Sequence, residues 1–304
     1  MKSIKKIRPE RFKLFRLKGI LPIYLLLIIT LFLNTCHKPP VAKYHLLSES
    51  SQSMLSVTLE TYLRIEKLQH QFTVVTADRY KPISRDTFKP LIDGHSFDLI
   101  PELRFRETAM EVLVDYFKVL QALAERDFVN EVDRAAEKLA GSLKNLTESS
   151  EKQNQSSARQ TVGLLASGIN AIGRALVHKK RIKALKCVMD SSQVDLVRLA
   201  RLITGTNKKI KRFVNLMLER IIAHANITRP EYNHPQRFIF DLRIADTMNE
   251  VETVNKALNT LSQAINEIPT AHAAVRKMLD KKPETWATLL QLTKDINRIG
   301  KCYR

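Results

Sequence analysis

Residues 244–268 read IADTMNEVETVNKALNTLSQAINEI, and their apolar members Ile244, Met248, Val251, Val254, Leu258, Leu261, Ile265 and Ile268 recur at intervals of three and four. That spacing puts them on one face of an α-helix, whereas a half-buried strand would alternate with a period of two. The stripe is roughly 100° wide, broader than the narrow seam of a coiled coil, and fits a helix packed in a globular bundle.

The same period returns along the rest of the chain. Leu55, Leu59, Tyr62, Ile65, Leu68 and Phe72 mark one helix, and Ala109, Val112, Tyr116, Val119 and Leu123 a second. Val132, Ala135, Leu139, Leu143 and Leu146 mark a third. A fourth is expected over 159–189, and a fifth capped by Ser192 and running towards 225, with Thr204-Gly205-Thr206 kinking or interrupting it. Pro269 and Pro283 suit the first positions of two short closing helices. The stretches 78–96, 147–158 and 226–237 are polar or rich in Pro and Gly and read as loops. No stretch alternates for long enough to build a sheet, and the eight glycines are few among abundant Leu, Ala, Lys, Arg, Glu and Gln. The expectation is an all-α fold, an antiparallel bundle of roughly six to eight helices over residues 49–304.

At 304 residues with 44% hydrophobic content the chain can bury a sizeable core. The net charge of +19 is unevenly placed. Residues 1–19 hold eight Lys or Arg against the single acid Glu10, and the fourteen residues Ile20 to Leu33 carry no charge at all. A basic segment followed by a short apolar one is the pattern of a secretory signal, and its length is below the ~20 residues a spanning helix needs. The leading cations stay in the cytoplasm, which places the rest of the chain outside.

The apolar segment ends in Leu33-Asn34-Thr35-Cys36, which resembles the lipobox of bacterial lipoproteins. The resemblance implies cleavage before Cys36 and lipidation of its sulfur, the thiolate being the group that attacks the lipid donor. Residues 1–35 are then a signal peptide, and 36–48, with Pro39-Pro40, a short tether. His37 stands where a retention signal would place Asp, which by the same resemblance favours the outer membrane over the inner if the host has one. The alternative is an uncleaved signal anchor from Gly19 to Thr35, about 17 residues and at the lower limit for spanning. Both readings leave the body membrane-anchored on the extracytoplasmic, periplasmic side.

Within the body, residues 171–220 carry thirteen Lys or Arg against three acids. Lys179, Lys180, Arg181, Lys183, Lys186, Lys208, Lys209, Lys211 and Arg212 are the candidate anion-binding residues of this stretch. Outside the cytoplasm the matching partners are anionic lipid, lipopolysaccharide, a cell-wall polymer or an envelope protein. Nucleic acid is not expected, since no aromatic residues interleave the cations. A solvated helix face is the plainer reading of the same charges. Gly163, Ser167, Ala171 and Ala175 form a small-residue stripe within 161–177, which suits either a tightly packed core helix or the inserting element of a pore-forming-like helical protein.

Cys187 and Cys302 remain after Cys36; an oxidising compartment allows them to pair, and two buried free thiols are the alternative. The eight histidines never fall into metal-ligand spacings. No phosphate-binding loop, nucleophile elbow or zinc-protease motif occurs. The chain is therefore expected to be a binding or scaffolding lipoprotein of the cell envelope, with no enzymatic activity, cofactor or metal.

Overall fold

In a computed structural model of the chain, residues 41–76, 91–92, 95–96, 98–125, 129–152 and 181–280 are described. The chain divides between Pro39 and Pro40 into two units, and all described residues belong to the second. The fold is all-α. Its helices are α1 (Val41–Thr76), α2 (Ile100–Ala124), α3 (Val129–Lys152), α4 (Arg181–Thr204), α5 (Asn207–Thr228) and α6 (His234–Met278), with a 3-10 turn at Arg229–Glu231. Two-residue strands, Leu91–Ile92 and His95–Ser96, pair antiparallel between α1 and α2.

α2 sits at the centre because its sequence is apolar nearly all round. Buried positions from Leu103 to Ala124 cover several faces, and α1, α3 and α4 each pack against one of them. α3 is one-sided by contrast: Val132, Leu139, Leu143 and Leu146 face α2, as does the buried Ser142, whose hydroxyl donates to Asp115 at 2.7 Å, and the other polar residues between them face solvent. The start of α2 is fastened to α1 through Gln69, whose Oε1 accepts from the Leu99 amide at 2.9 Å and whose Nε2 donates to Asp98 at 2.9 Å.

The apolar side chains gather into two cores. The larger joins Tyr44, Leu47 and Met54 of α1 to most of α2, to α3 and α4, and to the Leu261–Val275 half of α6. The smaller joins Tyr62, Ile65, Leu68 and Phe72 of α1 to Ile210, Val214, Met217 and Ile221 of α5 and to Val251, Val254 and Leu258 of α6. α1 and α6 thus run through both. In the first third of α6 Ile244 still packs against the smaller core, while Phe238, Ile239, Leu242 and Met248 are about half exposed or more.

Several boundaries differ from the sequence reading. The segment expected to be a tether through residue 48 is helical from Val41, with Tyr44 and Leu47 fully buried. α3 continues to Lys152, into the stretch read as a loop. Ser192 does not cap a helix: it lies in the middle of α4, and its hydroxyl bonds the Val188 carbonyl at 2.7 Å. Pro269 does not start a helix either; it lies inside the 45-residue α6, and Gln193 Nε2 donates to its carbonyl at 3.0 Å. That helix begins earlier because Asn233 and Gln236 form a reciprocal capping box within the stretch read as a loop, with Pro235 in the first turn. The helix expected to run from Ser192 towards 225 is thus two, α4 and α5, parted by Gly205 and Thr206. Residues 161–177 and those after Pro283 lie outside the described residues.

Candidate functional site

The break between α4 and α5 organises the most polar part of the molecule. Gly205 is needed there because a Cβ at its position would lie 2.7 Å from the Arg201 carbonyl oxygen, closer than such atoms approach. Ending α4 leaves late carbonyls without helical partners. Arg106 of α2, with no exposed surface, supplies one: its Nη1 donates to the Ile203 carbonyl at 2.6 Å and to Asn207 Oδ1 at 2.6 Å. Its Nε donates to Glu102 Oε1 at 3.0 Å, and the same oxygen accepts from Thr206 Oγ1 at 3.0 Å. An ion pair one turn long on α2, buried at Arg106 and partly exposed at Glu102, therefore fixes the angle at which α5 leaves α4.

From that break α5 and α6 run antiparallel with a groove between them. Asn207 Nδ2 donates to Ser262 Oγ at 2.7 Å, Lys211 Nζ to Asn259 Oδ1 at 2.8 Å, and Asn255 Nδ2 to Asn215 Oδ1 at 2.7 Å. The groove holds about 790 Å³ and is lined by Lys208, Lys211, Arg212, Asn215 and Glu219 on one wall and by Asn259, Ser262 and Asn266 on the other. Among the described residues no cluster of His, Cys, Asp or Glu side chains could hold a metal ion.

The cations named from the sequence do not form one patch. Lys186 pairs with Asp280 beyond the end of α6, while Lys211 meets Asn259. Those two contact points are about 30 Å apart along α6 at 1.5 Å per residue. Lys208, Lys209 and Arg212 line the first turns of α5, with Lys209 Nζ 5.8 Å from the Phe213 ring centroid. Lys183 is exposed on α4. Lys179 and Lys180, and the Arg181 side chain, lie outside the described residues. Cys187 is an exposed free thiol, not a buried one, and Cys302 lies outside the described residues.

Asn207, Asn215, Asn259, Asn266 and Arg106 are not among the residues that the sequence reading singles out. A signal for them exists: Lys208, Arg212, Asn215 and Glu219 stand four, three and four apart, as do Asn255, Asn259, Ser262 and Asn266. Each set is a polar stripe beside an apolar one, but only the tertiary fold brings the two stripes face to face.

A second polar cluster uses residue types common in catalysis and serves packing instead. His272, Tyr116 and Ser192 are 0%, 2% and 1% exposed, so no substrate reaches them. His272 Nε2 lies 2.8 Å from the Tyr116 hydroxyl and its Nδ1 lies 2.6 Å from Gln193 Oε1. Burial pulls the His272 pKa down to about 3, with Asp190 opposing and Arg276 adding to the shift, so the ring is neutral near pH 7. The buried Asp195 carboxyl is pushed up to about 6 by burial, against the pull of Arg198 at 3.8 Å. Its Oδ2 has no hydrogen-bond partner among the described residues.

Comparison of the chain with protein-family models, with curated proteins and with solved structures finds no match in any of the three.

Proposed function

We propose that this chain is a membrane-anchored envelope lipoprotein, lipidated at Cys36, whose helical body is a non-enzymatic binding or scaffolding module for an anionic partner on the extracytoplasmic side. The partner's chemistry is that of phospholipid headgroups, lipopolysaccharide or a cell-wall polymer. The body, read as an antiparallel bundle of six to eight helices, is the rigid support on which that binding surface is built.

One observation carries this reading. Lys183, Arg201, Lys208, Lys209 and Arg212 lie on α4 and α5 and meet no carboxylate among the described residues. Elsewhere the protein spends carboxylates on its arginines: Arg64 holds Glu60 and Glu250, Arg229 holds Asp241, and Arg276 holds Asp190 and Asp280. Unneutralised cations each contribute about 1 kcal/mol near an anionic surface.

The full-length chain in neutral nanodiscs is mixed with phosphatidylcholine vesicles, with vesicles that also contain phosphatidylglycerol, and with purified lipopolysaccharide. Binding to the anionic partners alone, weakening with salt and lost on combined Lys183→Glu, Arg201→Glu and Lys209→Glu reversal, is the expected result. Equal binding to neutral vesicles, or indifference to the reversal, overturns it.

A further inference from the structure

We infer that the groove between α5 and α6 binds a phosphorylated saccharide. The inference rests on the reading of the α5 face as turned towards anions and deepens it by naming the ligand class. The groove is rich in donors of two kinds. Lys208 and Arg212 have no protein partner among the described residues, and Lys211 spends one of its three N–H groups on Asn259.

The amides supply the other kind. The Oδ1 atoms of Asn215, Asn259 and Asn266 each accept a hydrogen bond, from Asn255 at 2.7 Å, Lys211 at 2.8 Å and Thr204 at 3.3 Å. With their acceptor ends engaged, all three side chains have Nδ2 groups without a partner among the described residues, in a groove that they line. Charged donors suit phosphate oxygens, and neutral amides suit hydroxyl and ring oxygens. Glu219, the single carboxylate of the described lining, can accept from a sugar hydroxyl.

Size and lining narrow the ligand further. The groove volume of about 790 Å³ is far larger than a lone phosphate needs and lies within the usual range for small-molecule sites. Among the described residues no aromatic side chain lines it, so nothing there stacks a nucleobase, and Leu216 is its one large apolar residue. A hydroxyl-rich anion without an aromatic ring fits that chemistry best.

The test titrates the full-length chain in neutral nanodiscs with glucose 6-phosphate, glucose and inorganic phosphate, and separately with vesicles bearing phosphatidylinositol. The vesicles present similar chemistry on a lipid. Asn259→Ala and Asn266→Ala remove groove donors from the α6 wall without changing the charge of the face. Glucose 6-phosphate is expected to bind at least roughly tenfold more tightly than phosphate or glucose, and each variant to weaken it roughly two- to tenfold, the range of one lost hydrogen bond.

Binding of phosphatidylinositol but not glucose 6-phosphate, still weakened by the alanine variants, supports the same site with a lipid as its source. Equal affinity for phosphate and glucose 6-phosphate overturns the saccharide, as does failure to bind any probe. If lipopolysaccharide and phosphatidylglycerol vesicles still bind in that case, the basic-face reading stands alone. If they too are lost, both fall.

Discussion

The guanidinium of Arg106 and the side-chain amide of Asn207 meet at 2.6 Å beneath the α4–α5 break, one at 0% exposure and the other at 6%. Asn207 passes the contact on to Ser262, so a residue of α2 sets where α5 and α6 stand relative to each other. The groove inherits its width from an interaction outside it.

Arg106→Ala should therefore be among the most damaging substitutions in the body. It strands the Ile203 carbonyl and Asn207 Oδ1, and removes the cationic partner of Glu102, which keeps its bond from Thr206. Removing one member of a buried pair costs roughly 3–5 kcal/mol. Glu102 is 29% exposed and can rehydrate, which places the expectation at the lower end of that range. Urea unfolding followed by circular dichroism measures it; a midpoint unchanged from wild type refutes the role given to this node.

Gly205→Ala tests the break itself. The added carbon meets the Arg201 carbonyl oxygen at 2.7 Å, and that contact is backbone, which cannot rotate aside. A loss of about 1–3 kcal/mol is expected, as for other overpacked sites. Alanine is the better helix former of the two, so a gain in stability would show that α4 and α5 can merge into one straight rod.

Two buried groups give the stability opposite pH dependences. The folded His272 pKa of about 3 lies below its ordinary 6.5, so the unfolded chain binds the extra proton and stability falls as pH drops from 6.5 towards 3. The folded Asp195 pKa of about 6 lies above its ordinary 3.8, so stability is lost as pH rises through the interval from 3.8 to 6. Asp195→Asn should raise the thermal midpoint at pH 8 and leave it nearly unchanged at pH 3. His272→Gln should flatten the acid-side decline. The same slopes in variant and wild type would assign the titration to other groups.

The anchor is tested by intact mass. Protein extracted from host membranes is expected to begin at Cys36 and carry acyl mass that a Cys36→Ala variant lacks. A wild type that retains Met1 and stays in the membrane would instead be a signal-anchored protein in which Cys36 is incidental.

The parts of the fold legible in the sequence are those where one helix face meets one core. Ala109, Val112, Tyr116, Val119 and Leu123 are all buried, as are Val251, Val254, Leu258, Leu261, Ile265 and Ile268. The stripe fails at Met248, 48% exposed although Ile244 one turn earlier packs against the smaller core, because periodicity carries no information about which neighbours stand beside each position. Pro269 misleads because a proline marks a helix start only when nothing upstream has begun one, and the Asn233–Gln236 capping box has. Lys186 and Lys208 look close in the sequence, but the α4 helix lies between them and carries each to a different neighbour. The groove asparagines are invisible for a related reason: an amide reads as solvated surface until the facing helix is known.

α1 is 36 residues long and contributes Tyr44, Leu47 and Met54 to one core and Tyr62, Ile65, Leu68 and Phe72 to the other. At 1.5 Å per residue it spans about 54 Å. A pull along its axis from the N-terminal end is resisted in shear by both cores at once, rather than peeled open from one end. In mechanical terms α1 is a tie-rod that fastens the two cores to each other.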